Sequence, residues 1–335
     1  MLVANSAVGK NWAGLATGML TGLVAGATFL LGALDMAGAP LLSTGLSSGA
    51  KLGLDAGTMA TGFVAAAMTS KVVRQRIARV LPVDPESPVH ALALALAVIL
   101  LGTQLASTAF TDVLATERAQ PPLTVGDLIF QEVPFLILAC VGVGIFMRRN
   151  APQALARLGV VSPAWWQVVV ALAGAGLFFA FGQQMDGLSH SWTPQIAEQV
   201  DATTQHLFGG LNGPLAIATL ALAPGICEEL LFRGALQPRI GLVATALLFT
   251  SIHTQYSLSL DAFSVFVIAI GLGLIRKYAN TTASCLCHVS YNLVTAIGFT
   301  GWVLGVAGVV EVGLLAVAAY AIWTRRRPTA VPVES

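Results

Sequence analysis

The run PLAIATLALAPGICEELLFRGAL, residues 214–236, combines two properties that seldom occur together. It is apolar over more than the roughly 20 residues that a helix needs to cross the ~30 Å hydrocarbon core of a bilayer. It nevertheless contains Glu228, Glu229 and Arg233, and an ionisable side chain inside a spanning helix costs at least ~2.5 to 3.5 kcal/mol on insertion scales. The run therefore predicts a membrane-spanning helix whose charges have partners or a function.

The rest of the chain has the composition of a membrane protein. Of its 335 residues, 56% are hydrophobic and 10% are charged, whereas about 25% are charged in soluble chains. We predict an all-α fold, a polytopic transmembrane helical bundle of about 8 to 10 spans with an intramembrane catalytic cavity. The seventh and eighth apolar runs are short, so the alternative is eight full spans with re-entrant pieces. The runs are residues 12–34, 54–71, 88–110, 126–147, 163–184, 211–233, 239–254, 260–275, 281–298 and 302–323.

Basic residues follow every second apolar run from the second to the tenth, apart from the sixth, whose short connection carries Arg239. Because Lys and Arg accumulate on the cytoplasmic side, this pattern predicts a multi-pass protein of the cell membrane with both termini in the cytoplasm. The net charge of +1 and the lack of a continuous basic face argue against a nucleic-acid partner, so the lipid bilayer is the expected surroundings. The basic residues after the second, fourth, eighth and tenth runs are Lys71, Arg74, Arg76, Arg79, Arg148, Arg149, Arg157, Arg276, Lys277, Arg325, Arg326 and Arg327.

Ionisable residues inside the spans are concentrated in the second half of the chain. We therefore expect residues 1–160 to be accessory membrane helices and residues 161–335 to form the bundle that carries the chemistry, with a catalytic core at about 205–300. The first part holds almost nothing else that is polar inside its spans, so packing and lipid-facing roles are expected for it. The ionisable residues within spans are Glu132, Glu228, Glu229, Arg233, His253, His288 and Glu311.

The paired glutamates have different neighbours on their own helix. Glu229 and Arg233 are spaced i, i+4, so one helical turn brings them together as an ion pair. Glu228 is rotated by about 100° from Glu229 and has no base on its own helix, so it can face a cavity and act as a general base. The alternative is a buried ion pair with a purely structural role.

Two histidines and an asparagine are expected at a similar depth. His253 lies late in the seventh run, and His288 and Asn292 are spaced i, i+4 on one face of the ninth. Measured from the basic ends of the helices, Glu228 lies on the order of 16 Å deep, His253 about 21 Å and His288 about 16 to 18 Å. We therefore expect these groups to converge on a wet cavity that opens to the cytoplasm.

Such a group of side chains permits peptide hydrolysis by an activated water. A carboxylate takes the proton of the water, an imidazole orients it, and amide or imidazole donors stabilise the oxyanion. Glu228, His253 and His288 are also a zinc-type ligand set with an open fourth position. The residue types permit both mechanisms, and no H-E-x-x-H motif supports a zincin-like site.

The three polar segments, taken in order, resemble the motifs of the CPBP family, the CAAX proteases and bacteriocin-processing enzymes also called the Abi family. Those motifs are E-E-x-x-x-R, F-x-x-x-H and H-x-x-x-N. Each motif alone is weak, but the ordered set on successive hydrophobic helices is specific. The residues that match are Glu228, Glu229 and Arg233, then Phe249 and His253, then His288 and Asn292.

The resemblance implies a glutamate-dependent intramembrane endopeptidase related to the type II CAAX prenyl endopeptidases. It assigns activation of the water to Glu228 and His253, and oxyanion stabilisation to His288 and Asn292. Because the family is classed with the metalloproteases, the resemblance also makes zinc a candidate cofactor, held by Glu228, His253 and His288.

Two other classes of function use similar features. A non-catalytic membrane scaffold or immunity protein could keep the same fold and motifs for binding or stability. A secondary transporter would place polar groups near the midplane and would show repeat symmetry between its halves, which this sequence lacks. The expected partner of the enzyme is a peptide or protein substrate, of CAAX type or a bacteriocin-like peptide, that enters from the membrane or the cytoplasmic side.

Overall fold

The computed structural model describes residues 1–42 and 45–326. It is 80% helix, without a β-strand among the residues it describes, so the predicted all-α fold is confirmed. The helices are α1 (Leu2–Ala7), α2 (Ala13–Met36), α3 (Ser48–Ala66), α4 (Lys71–Ile77), α5 (Pro88–Phe110), α6 (Val113–Arg118), α7 (Val125–Gly142), α8 (Ala151–Leu158), α9 (Trp165–Trp192), α10 (Pro194–Phe208), α11 (Pro214–Glu229), α12 (Gln237–Ile240), α13 (Leu242–Ser251), α14 (Leu260–Tyr278), α15 (Thr281–Ile297) and α16 (Gly301–Arg326).

Each of the ten apolar runs folds into a helix. Among the described residues, six helices are long and apolar enough to span a membrane: α2, α5, α7, α9, α16, and α11 with its continuation to Ile240. The seventh run forms α13, whose 10 residues extend about 15 Å and are too short to cross, as predicted. The prediction of a short eighth run is wrong, because α14 has 19 residues.

One end of the bundle collects the arginines that close its helix ends, and we call it the basic end. Burial and the positive charge of Arg239 lower the pKa of Arg157 to about 10, so positive charge is dense here. Three arginines at this end each donate a hydrogen bond to a backbone carbonyl of another segment. These bonds run from Arg157 Nη1 to the Gly234 oxygen (3.2 Å), from Arg239 Nη1 to the Pro82 oxygen (3.2 Å) and from Arg276 Nε to the Arg233 oxygen (3.0 Å).

Both described ends of the chain also lie at the basic end. In α1, Asn5 Nδ2 donates to the Val141 oxygen at 2.7 Å, close to the end of α7. Near the end of α16, the guanidinium of Arg325 lies 4.6 Å from the centroid of the Trp166 ring, at the start of α9. The side chain of Arg326 and residues 327–335, with the predicted basic residue Arg327, lie outside the described part of the chain.

The opposite end carries acidic groups, and we call it the acidic end. α13 runs away from Arg239 towards the segment that follows it, where the Thr254 hydroxyl donates to Glu117 Oε1 of α6 at 2.5 Å. α6 packs against α10, which contributes Glu198 and Asp201 to this end. The separation of basic and acidic groups follows the charge alternation of the sequence.

Helices from both halves of the chain share one hydrophobic core. A single buried cluster joins Met68, which follows α3, and Ala95 of α5 to Phe249 of α13 and Ala269 of α14. α7 packs directly against α11. The N-terminal helices therefore support the elements that carry the predicted site.

Three charged residues are packed between α2 and α3, where we expected almost nothing polar. Lys51 Nζ pairs with the carboxylate of Asp35 and lies 3.3 Å from Asp55 Oδ2, and both acids are buried. The expectation is wrong for two reasons. Asp55 lies inside the predicted second run, 54–71, and was not counted, and α3 begins at Ser48, six residues before that run, so that Lys51 also lies within the helix. Their i, i+4 spacing was the sequence signal for this pair.

α11 and α15 approach each other closely at a glycine. A Cβ built at Gly225 would lie 2.6 Å from Val289 Cγ2 and 2.9 Å from the Val289 nitrogen. Since real Cβ contacts are not that short, the approach requires glycine at this position. It places the end of α11 directly against the middle of α15.

Gly225→Ala should therefore destabilise the protein by about 1 to 3 kcal/mol, the usual cost of overpacking, because Val289 backbone atoms cannot move aside without shifting α15. Gly187→Ala in α9 is the matched control, since no atom lies within 4 Å of a Cβ at that position. Unfolding in mixed micelles measures both variants. Equal stability of the two variants would contradict the close approach.

Candidate active site

The helix that carries the paired glutamates departs from regular geometry on both sides of them. Pro224 lies inside α11 and has no N–H, so the carbonyl of Leu220 lacks its helical donor. Asn292 supplies a donor from α15, with Nδ2 3.3 Å from the Leu220 oxygen. After the glutamates the chain continues as a π-helix over Leu230–Leu236, a geometry that occurs frequently at functional sites.

The carboxylate of Glu229 is fully engaged inside the protein. Its Oε1 lies 2.9 Å from Arg233 Nη1, the ion pair that the i, i+4 spacing predicts, and 3.1 Å from His288 Nδ1. Its Oε2 accepts a hydrogen bond from the Ser284 hydroxyl. All four residues are buried, and Arg233 Nη2 also donates to the Ala269 oxygen at 3.3 Å. One carboxylate thus joins α11, its π-helical continuation and α15.

The ring of Phe249 is the point at which the three motif-bearing segments meet. It lies 4.1 Å from the guanidinium carbon of Arg233, and its centroid is 4.7 Å from that of His253 and 5.9 Å from that of His288. Phe249 is itself buried. Phe249 thus brings Arg233, His253 and His288 together, while the shared cavity expected for Glu228, His253, His288 and Asn292 stays a prediction.

The hydrogen bonds of the two histidines determine which ring nitrogen carries a proton. His253 Nδ1 lies 2.9 Å from the Phe249 carbonyl oxygen, which only accepts, so Nδ1 donates and Nε2 of the neutral ring keeps a lone pair. His288 Nδ1 likewise donates to the Glu229 carboxylate. Its Nε2 is a donor only in the imidazolium form, for which Glu229 is the counter-ion. His253 is therefore suited to accept from water, and His288 to stabilise negative charge.

Glu228 has a different environment from its neighbour. It is 5% exposed, and its Oε2 has no hydrogen-bond partner. Glu132 of α7, the helix that packs against α11, also has a buried carboxylate oxygen, Oε2, without a partner. Glu228 thus has a carboxylate oxygen free to take a proton.

The predicted zinc ligands do not converge. Both Nδ1 atoms are bonded within the protein, and Glu228, His253 and His288 do not bring their donor atoms within 4.8 Å of one another. Their arrangement does not fit a metal ion, and we derive no step through one. Among the described residues, the three side chains whose possible ligand atoms do lie within 4.8 Å of one another are on the surface. They are Asp186, His190 and Asp201.

A cavity of about 450 Å³ lies at the acidic end of the bundle. It is lined by residues on either side of His253, namely Ile252 and Thr254, and by Gln131, which precedes Glu132. None of the four predicted catalytic side chains is among its lining residues. This cavity lies at the acidic end, whereas the cavity around the predicted site was expected to open at the basic end.

Sequence reasoning missed one member of the cluster and left two without a role. Ser284, which donates to Glu229, is spaced i, i+4 from His288, so it shares the helix face that we did examine. Glu132 was noted as an expensive charge, but nothing in the sequence places it near Glu228. Phe249 was matched to a motif without a role, and its role in holding Arg233, His253 and His288 around one ring follows only from the packing.

Taken together, the fold and the cluster define a polytopic helical membrane protein with a glutamate–histidine–asparagine site in its interior. Residues 210–294 match the family model described as "Type II CAAX prenyl endopeptidase Rce1-like", and this match confirms the resemblance drawn from the three motifs. The six apolar helices and this family make the chain a multi-pass membrane protein. Comparison with the curated proteins and with the solved structures gave no match.

The two glutamates should differ in their contribution to stability. Glu229→Gln leaves the buried charge of Arg233 without its counter-ion, so we expect a loss of about 3 to 5 kcal/mol, the usual cost of breaking a buried pair. Glu228→Gln removes a carboxylate that has an unpartnered oxygen, and stability should change by less than about 1 kcal/mol. Unfolding of the purified variants in mixed micelles measures both. A larger loss of stability for Glu228→Gln than for Glu229→Gln would show that Glu228, and not Glu229, is the counter-ion of Arg233.

Proposed function

We propose that the protein is an intramembrane endopeptidase that hydrolyses a peptide bond with a water activated by Glu228 and His253. The observation that carries the proposal is the contrast between the two neighbouring carboxylates. Glu229 is bonded to three side chains, whereas Glu228 keeps an oxygen without a partner in a buried site. A buried carboxylate with a free oxygen is suited to general-base catalysis, and the Nε2 lone pair of His253 can accept a hydrogen bond from the same water. The match to the Rce1-like family model supports a protease of this class.

In the proposed reaction, Glu228 removes a proton from a water molecule that also donates a hydrogen bond to His253 Nε2. The water oxygen forms a bond to the carbonyl carbon of the peptide, and the carbonyl oxygen becomes an oxyanion. When the C–N bond breaks, Glu228 returns its proton to the leaving nitrogen. Atoms balance, because one water is added across one peptide bond and Glu228 ends as a carboxylate.

Two groups on α15 are proposed to stabilise the oxyanion. His288 contributes through Nε2, which donates when the ring carries protons on both nitrogens, since its Nδ1–H is held by Glu229. Asn292 has two N–H groups and uses one on the Leu220 carbonyl, which leaves one for the substrate. The helix faces that carry these donors are held in register by the contact at Gly225.

The proposed substrate is a peptide or protein segment with access to the membrane, either a CAAX-type C-terminus or a bacteriocin-like peptide. We also propose that the basic end faces the cytoplasm, because Lys and Arg accumulate on that side of membranes. Both termini would then be cytoplasmic.

Glu228→Gln should abolish proteolysis while the protein remains folded and inserted, because glutamine keeps the shape of glutamate but cannot accept the proton. The measurement compares the peptides of membranes and medium from cells with the wild-type protein, with Glu228→Gln and without the protein. Glu311→Gln on α16 is the control for loss of another intramembrane carboxylate and should retain activity.

If cells with Glu228→Gln give the wild-type peptide profile, while deletion of the protein changes it, the endopeptidase proposal fails. That result would favour the scaffold or immunity function instead.

The proposed orientation predicts which introduced cysteines are labelled in intact cells. Ala115→Cys on α6, at the acidic end, should react with a membrane-impermeant maleimide, whereas Arg79→Cys, after α4, should react only after the cells are opened. Both positions are exposed, so a difference between them reports the side of the membrane. Labelling of Arg79→Cys in intact cells would reverse the orientation.

A further inference from the structure

We propose that the cavity at the acidic end binds a neutral or basic segment of the substrate polypeptide, which therefore enters from the end of the bundle opposite the arginines. Of the two substrate classes proposed above, this one is the bacteriocin-like peptide, because a CAAX-type C-terminus carries a carboxylate. This inference rests on the proposed function, since it assigns a binding site and a substrate class to the same enzyme. At about 450 Å³ the cavity lies within the ~300 to 1,000 Å³ range typical of ligand pockets. It is therefore large enough to hold a short stretch of peptide.

The position of the cavity connects it to the catalytic layer. Ile252 and Thr254 contribute to its wall, so His253 lies between two lining residues. On the facing side, Gln131 of α7 lines the cavity, and α7 packs against α11, the helix that carries Glu228. A peptide held here would lie against the segments that lead to both proposed water-activating residues.

The charge of the lining selects against acidic ligands. Glu117 and Asp127 place two carboxylates in the wall, and the lining residues include no Lys, Arg or His. Glu117 Oε1 accepts from the Thr254 hydroxyl, which leaves the negative charge uncompensated by a cation. The nearby Arg118 directs its Nη1 to Thr203 and to the Gln199 oxygen instead. A substrate carboxylate would be repelled, whereas a lysine, an arginine or an N-terminal amine would be attracted.

The remaining lining residues suit a polypeptide backbone. Gln120, Gln131 and Gln255 offer amide donors and acceptors, which match the N–H and C=O groups of an extended chain. Leu207 and Phe208 from the end of α10 supply apolar surface. This combination of a few polar groups with an apolar wall is the usual composition of a specific ligand pocket.

The test uses labelling rates, which need no catalysis. Gln131→Cys is made in a protein whose native cysteines are replaced by alanine, and it is treated with a cationic and an anionic methanethiosulfonate of similar size. Each rate is divided by the rate of that reagent with a free thiol. The cationic reagent should react faster than the anionic one. Glu117→Gln should lower the ratio of the cationic to the anionic rate about three- to tenfold, which is the effect of removing one nearby charge in water. Glu198→Gln, an exposed acid on α10 outside the cavity, should leave the ratio unchanged.

Occupancy is tested by protection in the Glu228→Gln background, where no cleavage is expected. A hexapeptide of alanine and lysine should slow the labelling of Gln131→Cys, whereas the corresponding hexapeptide of alanine and glutamate should not. In intact cells, the labelling should proceed from the side that also labels Ala115→Cys.

Equal ratios in Glu117→Gln and the parent, stronger protection by the glutamate peptide, or labelling from the side of Arg79→Cys would each overturn the inference. These results are independent of the peptide profiles. If the binding site is present but Glu228→Gln leaves proteolysis intact, the cavity assignment stands and the proposed mechanism fails.

Discussion

A guanidinium inside a bilayer-spanning helix is tolerated only when a carboxylate and further polar groups compensate it, and the interior of this protein is arranged around that requirement. Arg233 is 1% exposed, and its charge is met by Glu229, by a carbonyl of α14 and by the face of the Phe249 ring. Removing either charge would leave the other buried and unpaired, at a cost of several kcal/mol. The pair therefore constrains where α11, α13 and α14 can lie.

The catalytic proposal depends on the same constraint. Because Arg233, Ser284 and His288 use both oxygens of Glu229, the adjacent Glu228 is the carboxylate left with a free oxygen. Irregular helix geometry is stabilised in a similar way nearby. Pro224 removes a backbone donor from α11, and Asn292 replaces it from α15. In both places a side chain of α15 compensates a polar group of α11, and this keeps polar groups of two helices close together inside the bundle.

Much of this arrangement could be predicted from local spacing. Hydrophobic runs predicted the helices, because only a helix satisfies its backbone in a membrane, and the i, i+4 spacing predicted the pair of Glu229 with Arg233. What could not be predicted depends on contacts between distant segments. Glu132 and Glu228 lie on α7 and α11, which pack against each other although they are far apart in the sequence, and the buried Lys51 meets Asp35 through the packing of α3 on α2. The cavity at the acidic end likewise joins residues of α6, α7, α10 and the segment after α13, which no local pattern brings together.

The central claim is that the peptide bond meets Glu228 while Glu229 stays bound to Arg233, and a structure of the Glu228→Gln protein with an uncleaved peptide tests it most directly. The account predicts that the carbonyl carbon of the peptide lies beside the side chain at position 228, with space for one water between them. It also predicts that the bonds from Glu229 to Arg233, Ser284 and His288 are unchanged. A peptide carbonyl in contact with Glu229, or a Glu229 side chain turned away from Arg233, would contradict the account.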